Sequence, residues 1–308
     1  MASNSDDNSR VIMINITKDI LKDIYKARPE NVRKYDYGLV LVIGGSEFYS
    51  GSPALNAFAA FSAGADMVRV IAPKRPADII ASFSPILAAY PLHGDHLQEE
   101  HLACLISMTE SAKTVSNGRT AVIIGGGVGR SEETQQVILQ YLEQVSVPVV
   151  IDADAIHALA EKPEIIAGKK FLITPHTYEF FILTKKEIYK LSDEEKVKFV
   201  ESEAKRLNTT ILLKGKTDII SNGKEVALNT TGSPLMTKGG MGDTLAGIAG
   251  ALLARGTDIF TAASAAAYIN GLAGNLAAKS FGESVTAMDL IDSIAEVLPT
   301  NKKIKKLN

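Results

Sequence analysis

Two short runs of aliphatic and β-branched residues, LVLVIGG at 39–45 and TAVIIGGG at 120–127, both stop on consecutive glycines. A continuous apolar run of this length is buried on both faces, which is the mark of an interior strand in a parallel sheet. Glycines at its end allow a tight turn into a following helix. The pattern recurs at MVRVIA 67–72, VPVVIDAD 147–154, FLITP 171–175 and ILLKG 211–215. Helical patterns alternate with these runs. Pro53 opens ALNAFAAFSAGA, Ser131 caps SEETQQVILQYLEQV, and a charged helix is predicted near 193–207. Asn222-Gly223 between two β-like runs signals a hairpin. The remainder reads as helices near 243–255, 258–279 and 287–297, with a further one at 17–28 behind Thr17. Strands alternating with helices predict an α/β fold with a mostly parallel central sheet flanked by helices.

Composition narrows the function. Hydrophobic residues make up 46% and charged residues 22%, enough for a sizeable core. A net charge of -2, no tryptophan and no basic stripe argue against nucleic acid as a partner. The lone cysteine, Cys104, permits no internal disulfide and is read as a buried hydrophobe, which suits a reducing, cytoplasmic setting. The uncharged stretch 259–278 nears membrane-span length but is built of small residues, so a tightly packed core helix is expected and no membrane association. Such close packing also suggests a homo-oligomer. Residues 1–30 are read as a tail, disordered over its first ten residues, plus a short helix. Residues 31–300 form one domain, and 301–308 a solvated basic tail.

In open α/β sheets, ligands bind beyond the carboxyl ends of the strands. The chemistry-bearing residues gather there. Gly239, Gly240 and Gly242 directly precede a helical pattern, so bare amides and a helix N-terminus would meet an anion. Asp243 in the first turn is either a general base or a plain cap. Gly125, Gly126, Gly127 and Gly129 form either a phosphate cradle or a tight turn. Asp152 and Asp154 could hold Mg²⁺ or a polar substrate group, or Asp154 could cap a helix. His176 is a ligand contact or a surface turn. The Walker pattern fails because Thr210 stands where a glycine is needed before Gly215-Lys216-Thr217, and the dinucleotide fingerprint also fails. His93, His96 and His101 lack the spacing of a zinc site. Physical reading thus reaches a phosphate-handling α/β enzyme or binder.

The segment NTTGSPLMTKGGMGDTLAG resembles the glycine-rich signature of the ribokinase-like superfamily. Together with VIGGSEFYSGSPALNAFAAFSAGADMVRV, IIGGGVGR, VPVVIDADAI, LITPHTYEF and LLKGKTDIISNG, it is similar to the NAD(P)H-hydrate dehydratase family over about residues 35–297. That family more often has proline where Gly126 stands. The resemblance implies a ribokinase-like three-layer α/β/α sandwich. It further implies ADP- or ATP-dependent dehydration of the S-form of hydrated NADH or NADPH (NADHX, NADPHX), with Mg²⁺ bridging the phosphates. Carried over by position, Asp243 would be the catalytic base facing the substrate hydroxyl. Ala54, Gly127, Gly129 and His176 would contact the hydrated cofactor. Lys214, Gly215, Lys216, Thr217, Asp218, Gly239, Gly240 and Gly242 would line the nucleotide. Many relatives carry an epimerase domain before this one; the stretch ahead of the first strand is too short for it, so epimer interconversion is not expected. A vitamin-type alcohol kinase and a non-catalytic nucleotide-binding regulator are the alternatives.

Overall fold

The computed structural model describes residues 12–299. The tail expected to be disordered and the basic C-terminal tail lie outside the described residues. Ten strands form one sheet: β1 (Ile12–Asn15), β2 (Leu39–Ile43), β3 (Met67–Pro73), β4 (Ala88–Leu92), β5 (Thr120–Ile124), β6 (Val149–Ile151), β7 (Phe171–Ile173), β8 (Thr210–Leu213), β9 (Asp218–Ser221) and β10 (Glu225–Asn229). Their order is β1-β10-β9-β8-β7-β6-β5-β2-β3-β4. Only β9 runs against the rest, pairing antiparallel with both β8 and β10. The Asn222-Gly223 hairpin joins β9 to β10, with the Asn222 side chain accepting from the Lys224 and Glu225 amides at 2.9 Å.

Helices cover both faces because alternate strand side chains point to opposite sides. Val40 and Val42 face one layer, built by α2 (Gly51–Ser62), α3 (Lys74–Phe83), α9 (Met241–Ala254), α10 (Ile259–Phe281) and α11 (Ala287–Val297). Leu39, Leu41 and Ile43 face the other, built by α4 (Leu102–Val115), α5 (Glu132–Gln144), α6 (Asp154–Leu159), α7 (Thr177–Thr184) and α8 (Asp193–Leu207). Ser131 caps α5 as expected, its hydroxyl accepting from the Thr134 amide.

Several expectations change. The helix predicted at 17–28 shrinks to α1 (Ile20–Ile24), with Asp19 rather than Thr17 at its N-cap. Tertiary bonds end it early: the Tyr25 hydroxyl donates to the Ala63 carbonyl at 3.0 Å, and Arg255 donates to the Ile24 carbonyl at 3.1 Å. Arg28 pairs with Asp66 at 2.8 Å instead of continuing the helix. β1, α3, β4 and α4 have no counterpart in the sequence reading. β4 holds Pro91, which a ladder tolerates because β4 is an edge strand. Cys104, on α4, is half-buried against the core rather than fully buried. The small-residue helix α10 is consumed by packing inside this chain, with Ala262 through Gly271 buried. It therefore gives no ground for the oligomer inferred from it. No helix among the described residues is long and apolar enough to cross a membrane.

The tightest helix contact is α2 against α9. A β-carbon at Gly247 would lie 2.5 Å from the Asn56 carbonyl oxygen and 2.7 Å from Ala59 Cβ. Helix propensity alone favours Gly247→Ala by about 1 kcal/mol. We expect the variant instead to be less stable by about 1–3 kcal/mol, because the backbone of α2 must move to admit the methyl. Thermal melts check this; an unchanged or raised Tm would refute the packing account.

Candidate functional site

β2 through β8 run in one direction, so their carboxyl ends share a rim. The connections diverge between β2 and β5: from β2 the chain proceeds to β3 and β4, from β5 to β6, β7 and β8. A crevice opens at such a switch point. The two glycine turns flanking it interlock. The Gly45 amide donates to the Gly126 carbonyl at 2.9 Å. A β-carbon at Gly125, whose φ is +125°, would fall 1.9 Å from the Asp152 carbonyl oxygen, so only glycine fits.

The head of α9 faces this crevice. Gly240 is the N-cap with φ +92°, and any side chain there would strike Leu55 and Ala287 at under 3 Å. The amides of Gly239, Gly240, Gly242 and Asp243 donate to no protein acceptor among the described residues. They form the bare N–H array at a helix N-terminus that an anion requires. The Asp243 side chain does not cap the helix. It accepts instead from the Ser52 hydroxyl of α2, while Asn56 Nδ2 donates to the Asp243 backbone carbonyl at 2.7 Å. Burial, reinforced by the charge of Asp152, pushes the Asp243 carboxyl up to about 6, against the Ser52 bond and the Lys214 charge.

Lys214 at the end of β8 lies among carboxylates. Its Nζ is 2.9 Å from Asp152 Oδ1 and 3.6 Å from Glu179 Oε2. It stands 3.4 Å from where a β-carbon on Gly242 would be. Burial opposes its charge, but Asp152, Glu179 and Asp243 outweigh that and hold the ammonium above the usual lysine range. Asp152 also accepts from the Thr174 hydroxyl at 2.7 Å.

Asp152 and Asp154 do not converge. Asp154 turns away, accepting from the Gly129 amide at 3.1 Å and Arg130 Nε at 2.7 Å. The capping position of α6 is held by Ala153, so neither the paired-Mg²⁺ reading nor the cap reading of Asp154 holds. Among the described residues no three metal-ligating side chains cluster. Asp152 and Glu179, both buried and both beside Lys214, are carboxylates of the right hardness for a cation that arrives on phosphate oxygens.

His176 is an N-cap. Its Nδ1 accepts from the Tyr178 and Glu179 amides, Glu179 returns a bond to the His176 amide at 2.8 Å, and the imidazole is half exposed at the rim. Gly127 (φ +69°) abuts Tyr49, and Gly129 (φ +83°) has open space where a β-carbon would project. Lys216 is exposed and Thr217 partly so. Asp218 is fastened inward: it accepts from the Gly215 amide at 3.0 Å and Asn229 Nδ2 at 2.9 Å, and burial pushes its carboxyl up to about 6. Its visible work is to fold the 215–218 loop. Ala54 is 3% exposed in the apolar layer, two residues from Ser52 and Asn56 and so on the opposite side of α2. Ser52 and Asn56 are site residues that motif reading passed over, and Glu179 stood out only by its place three residues after His176. That three-residue spacing is the signal of a capping box.

Residues 40–296 match the NAD(P)H-hydrate dehydratase family. The chain is 40% identical over 293 residues to a bifunctional NAD(P)H-hydrate repair enzyme of Hyperthermus butylicus, covering 92% of this chain and 52% of that protein. It thus spans about half the length of the repair enzymes of this kind that it matches. It is 36% identical over 288 residues to an ADP-dependent (S)-NAD(P)H-hydrate dehydratase of Cenarchaeum symbiosum, covering 92% of this chain and 96% of that one. In three dimensions it resembles a ribokinase-like superfamily protein of Enterococcus faecalis (TM-score 0.79, 26% identity, 93% of this chain and 95% of that chain). It also resembles the ADP/ATP-dependent NAD(P)H-hydrate dehydratase of Bacillus subtilis co-crystallized with ATP/Mg²⁺ (TM-score 0.74, 25% identity, 91% and 96%). The fold is therefore ribokinase-like.

Lys214→Ala would leave Asp152 and Glu179 facing one another without their cation. Removing one partner of a buried ionic cluster costs on the order of 3–5 kcal/mol. Urea unfolding is expected to show that loss at neutral pH; a variant as stable as the parent would show that the cluster is solvated rather than buried.

Proposed function

The chain belongs to the NAD(P)H-hydrate dehydratase family, and from that premise we propose that it restores NADH and NADPH from the S-form of their hydrates. ADP or ATP supplies the phosphoryl group. The observation that supports this most directly is the Asp243 carboxylate, partly exposed beside four amides with no protein partner among the described residues and raised by burial to about 6.

The chemistry follows from the geometry. A ring hydroxyl is a poor leaving group, and phosphorylation makes it a good one. Asp243 accepts the hydroxyl proton as the oxygen attacks the terminal phosphorus of the nucleotide, and the phosphoanhydride bond breaks to release AMP from ADP or ADP from ATP. A base tuned to about 6 is ionised at neutral pH yet still basic enough to share a proton in the transition state. The amides of Gly239, Gly240 and Gly242, with the N-terminus of α9, stabilise charge on the moving phosphoryl group. Lys214 beside Gly242 adds positive charge at the same mouth. Mg²⁺ bound to the nucleotide would offset phosphate charge, with Asp152 and Glu179 the carboxylates that would face it. Phosphate then departs with the C–O bonding pair, the neighbouring ring carbon gives up a proton to solvent, and the ring double bond returns. Lys216 and Thr217 are exposed on the same loop and would line the nucleotide, with Gly215 and Asp218 shaping that loop. His176, Gly127 and Gly129 at the adjoining rim would meet the hydrated dinucleotide. A cytoplasmic location suits this chemistry, where the reduced cofactors are used.

Incubation with hydrated NADH, Mg²⁺ and each nucleotide in turn tests the reading. Recovery of reduced-nicotinamide absorbance with release of phosphate is expected; a stable phosphorylated product would turn the reading to a small-molecule kinase. Asp243→Asn should lower turnover about 10²–10⁴-fold while nucleotide binding survives. Loss of binding in a folded variant would contradict the assigned role. Because the base must be ionised, kcat/KM should climb as pH rises through about 6 and level off above it. A profile flat from pH 5 to 8 would remove Asp243 as the base.

A further inference from the structure

Residue 52 of α2 is where three parts of the site meet. The Ser52 hydroxyl donates to Asp243 Oδ1. One helical turn further on, Asn56 donates to the main-chain carbonyl of the same aspartate at 2.7 Å. The Ser52 hydroxyl also fills the space above the glycine turn after β5: a β-carbon at Gly126 would lie 2.1 Å from Ser52 Oγ and 3.2 Å from Ser52 Cβ. Gly126 is not among the glycines of positive φ, unlike Gly125 and Gly127 on either side. Its backbone conformation is open to any residue, so the requirement there is for space alone.

We propose that Ser52 is a positioning residue that aims the Asp243 carboxylate through the bond to Oδ1, and that Gly126 is glycine to leave room for that hydroxyl. The proposal rests on Asp243 serving as the base. With Oδ1 occupied by Ser52, Oδ2 is the oxygen left to take the substrate proton. A hydroxyl donor stabilises the ionised carboxylate and opposes the burial and the Asp152 charge that favour the protonated form. Asn56 fixes the main chain of residue 243 and Ser52 fixes its side chain, so the base has little rotational freedom. Ser52 itself touches no reacting atom in this arrangement.

The test uses Ser52→Ala, Gly126→Ala and the double variant, each first shown to be folded by circular dichroism. Two quantities are read: the acid limb of kcat/KM with hydrated NADH, ADP or ATP and Mg²⁺, and the titration of the Asp243 carboxyl carbon by ¹³C NMR. Ser52→Ala should move both upward by on the order of one pH unit. Its kcat should fall more than its KM for nucleotide rises. Gly126→Ala should move them the same way, because its methyl displaces the hydroxyl. The double variant should move no further than Ser52→Ala alone, since no hydroxyl remains to displace. An unmoved Asp243 titration in folded Ser52→Ala, or shifts that add in the double variant, would overturn the proposal. Failure of the base reading has a different signature, namely turnover retained in Asp243→Asn, which the NMR titration does not depend on.

Discussion

The site depends on how closely α2 and α9 approach. Gly247 lets the Asn56 carbonyl and Ala59 press against α9, and that contact brings Ser52 and Asn56 within bonding reach of Asp243 in the first turn of the helix. Were the helices separated by a further methyl group, the carboxylate would be free to rotate or to cap its own helix, as aspartates in a first turn commonly do. Held by α2 instead, it faces the crevice, and the amides of Gly239, Gly240, Gly242 and Asp243 keep no protein partner among the described residues. One steric contact thus separates a self-capped helix end from a carboxylate held beside open amides.

The same crevice is electrostatically strained in a controlled way. Asp152, Glu179 and Asp243 surround a single buried ammonium, Lys214. The lysine is held charged by its neighbours, and Asp243, the furthest removed of the three from a direct bond to it, is raised towards neutrality by burial. Carboxylates of one residue class meet different surroundings: Asp152 is held by the Thr174 hydroxyl and Lys214, while Asp243 is bonded by Ser52 and raised by burial.

The architecture was legible in the chain to the extent that it is written in local pattern. Runs such as 39–45 and 120–127 are apolar throughout because both faces of β2 and β5 are covered, and the glycines after them stand where the backbones of two turns interlock. The hairpin at Asn222-Gly223 is likewise local chemistry. Elements decided by their surroundings escaped notice. β4 carries a proline that only an edge strand accepts, and α1 ends where Tyr25 and Arg255 find distant partners. Around the site, Asp243 and the glycines of 239–242 announced themselves by spacing, whereas Ser52 reads in sequence as an ordinary residue before a helical proline.

By itself the sequence determined the alternation of strand and helix, the glycines ahead of α9 and the presence of a carboxylate in its first turn, since each is a property of neighbours along the chain. The tertiary structure alone decided that this carboxylate is a base candidate and not a cap, that Asp152 pairs with Lys214 while Asp154 turns away, and that Ala54 is buried in packing. Hydrogen bonds between α2 and α9 and charge pairs between β6 and β8 join residues dozens to nearly two hundred positions apart. No local periodicity encodes which of several polar side chains will meet across that distance.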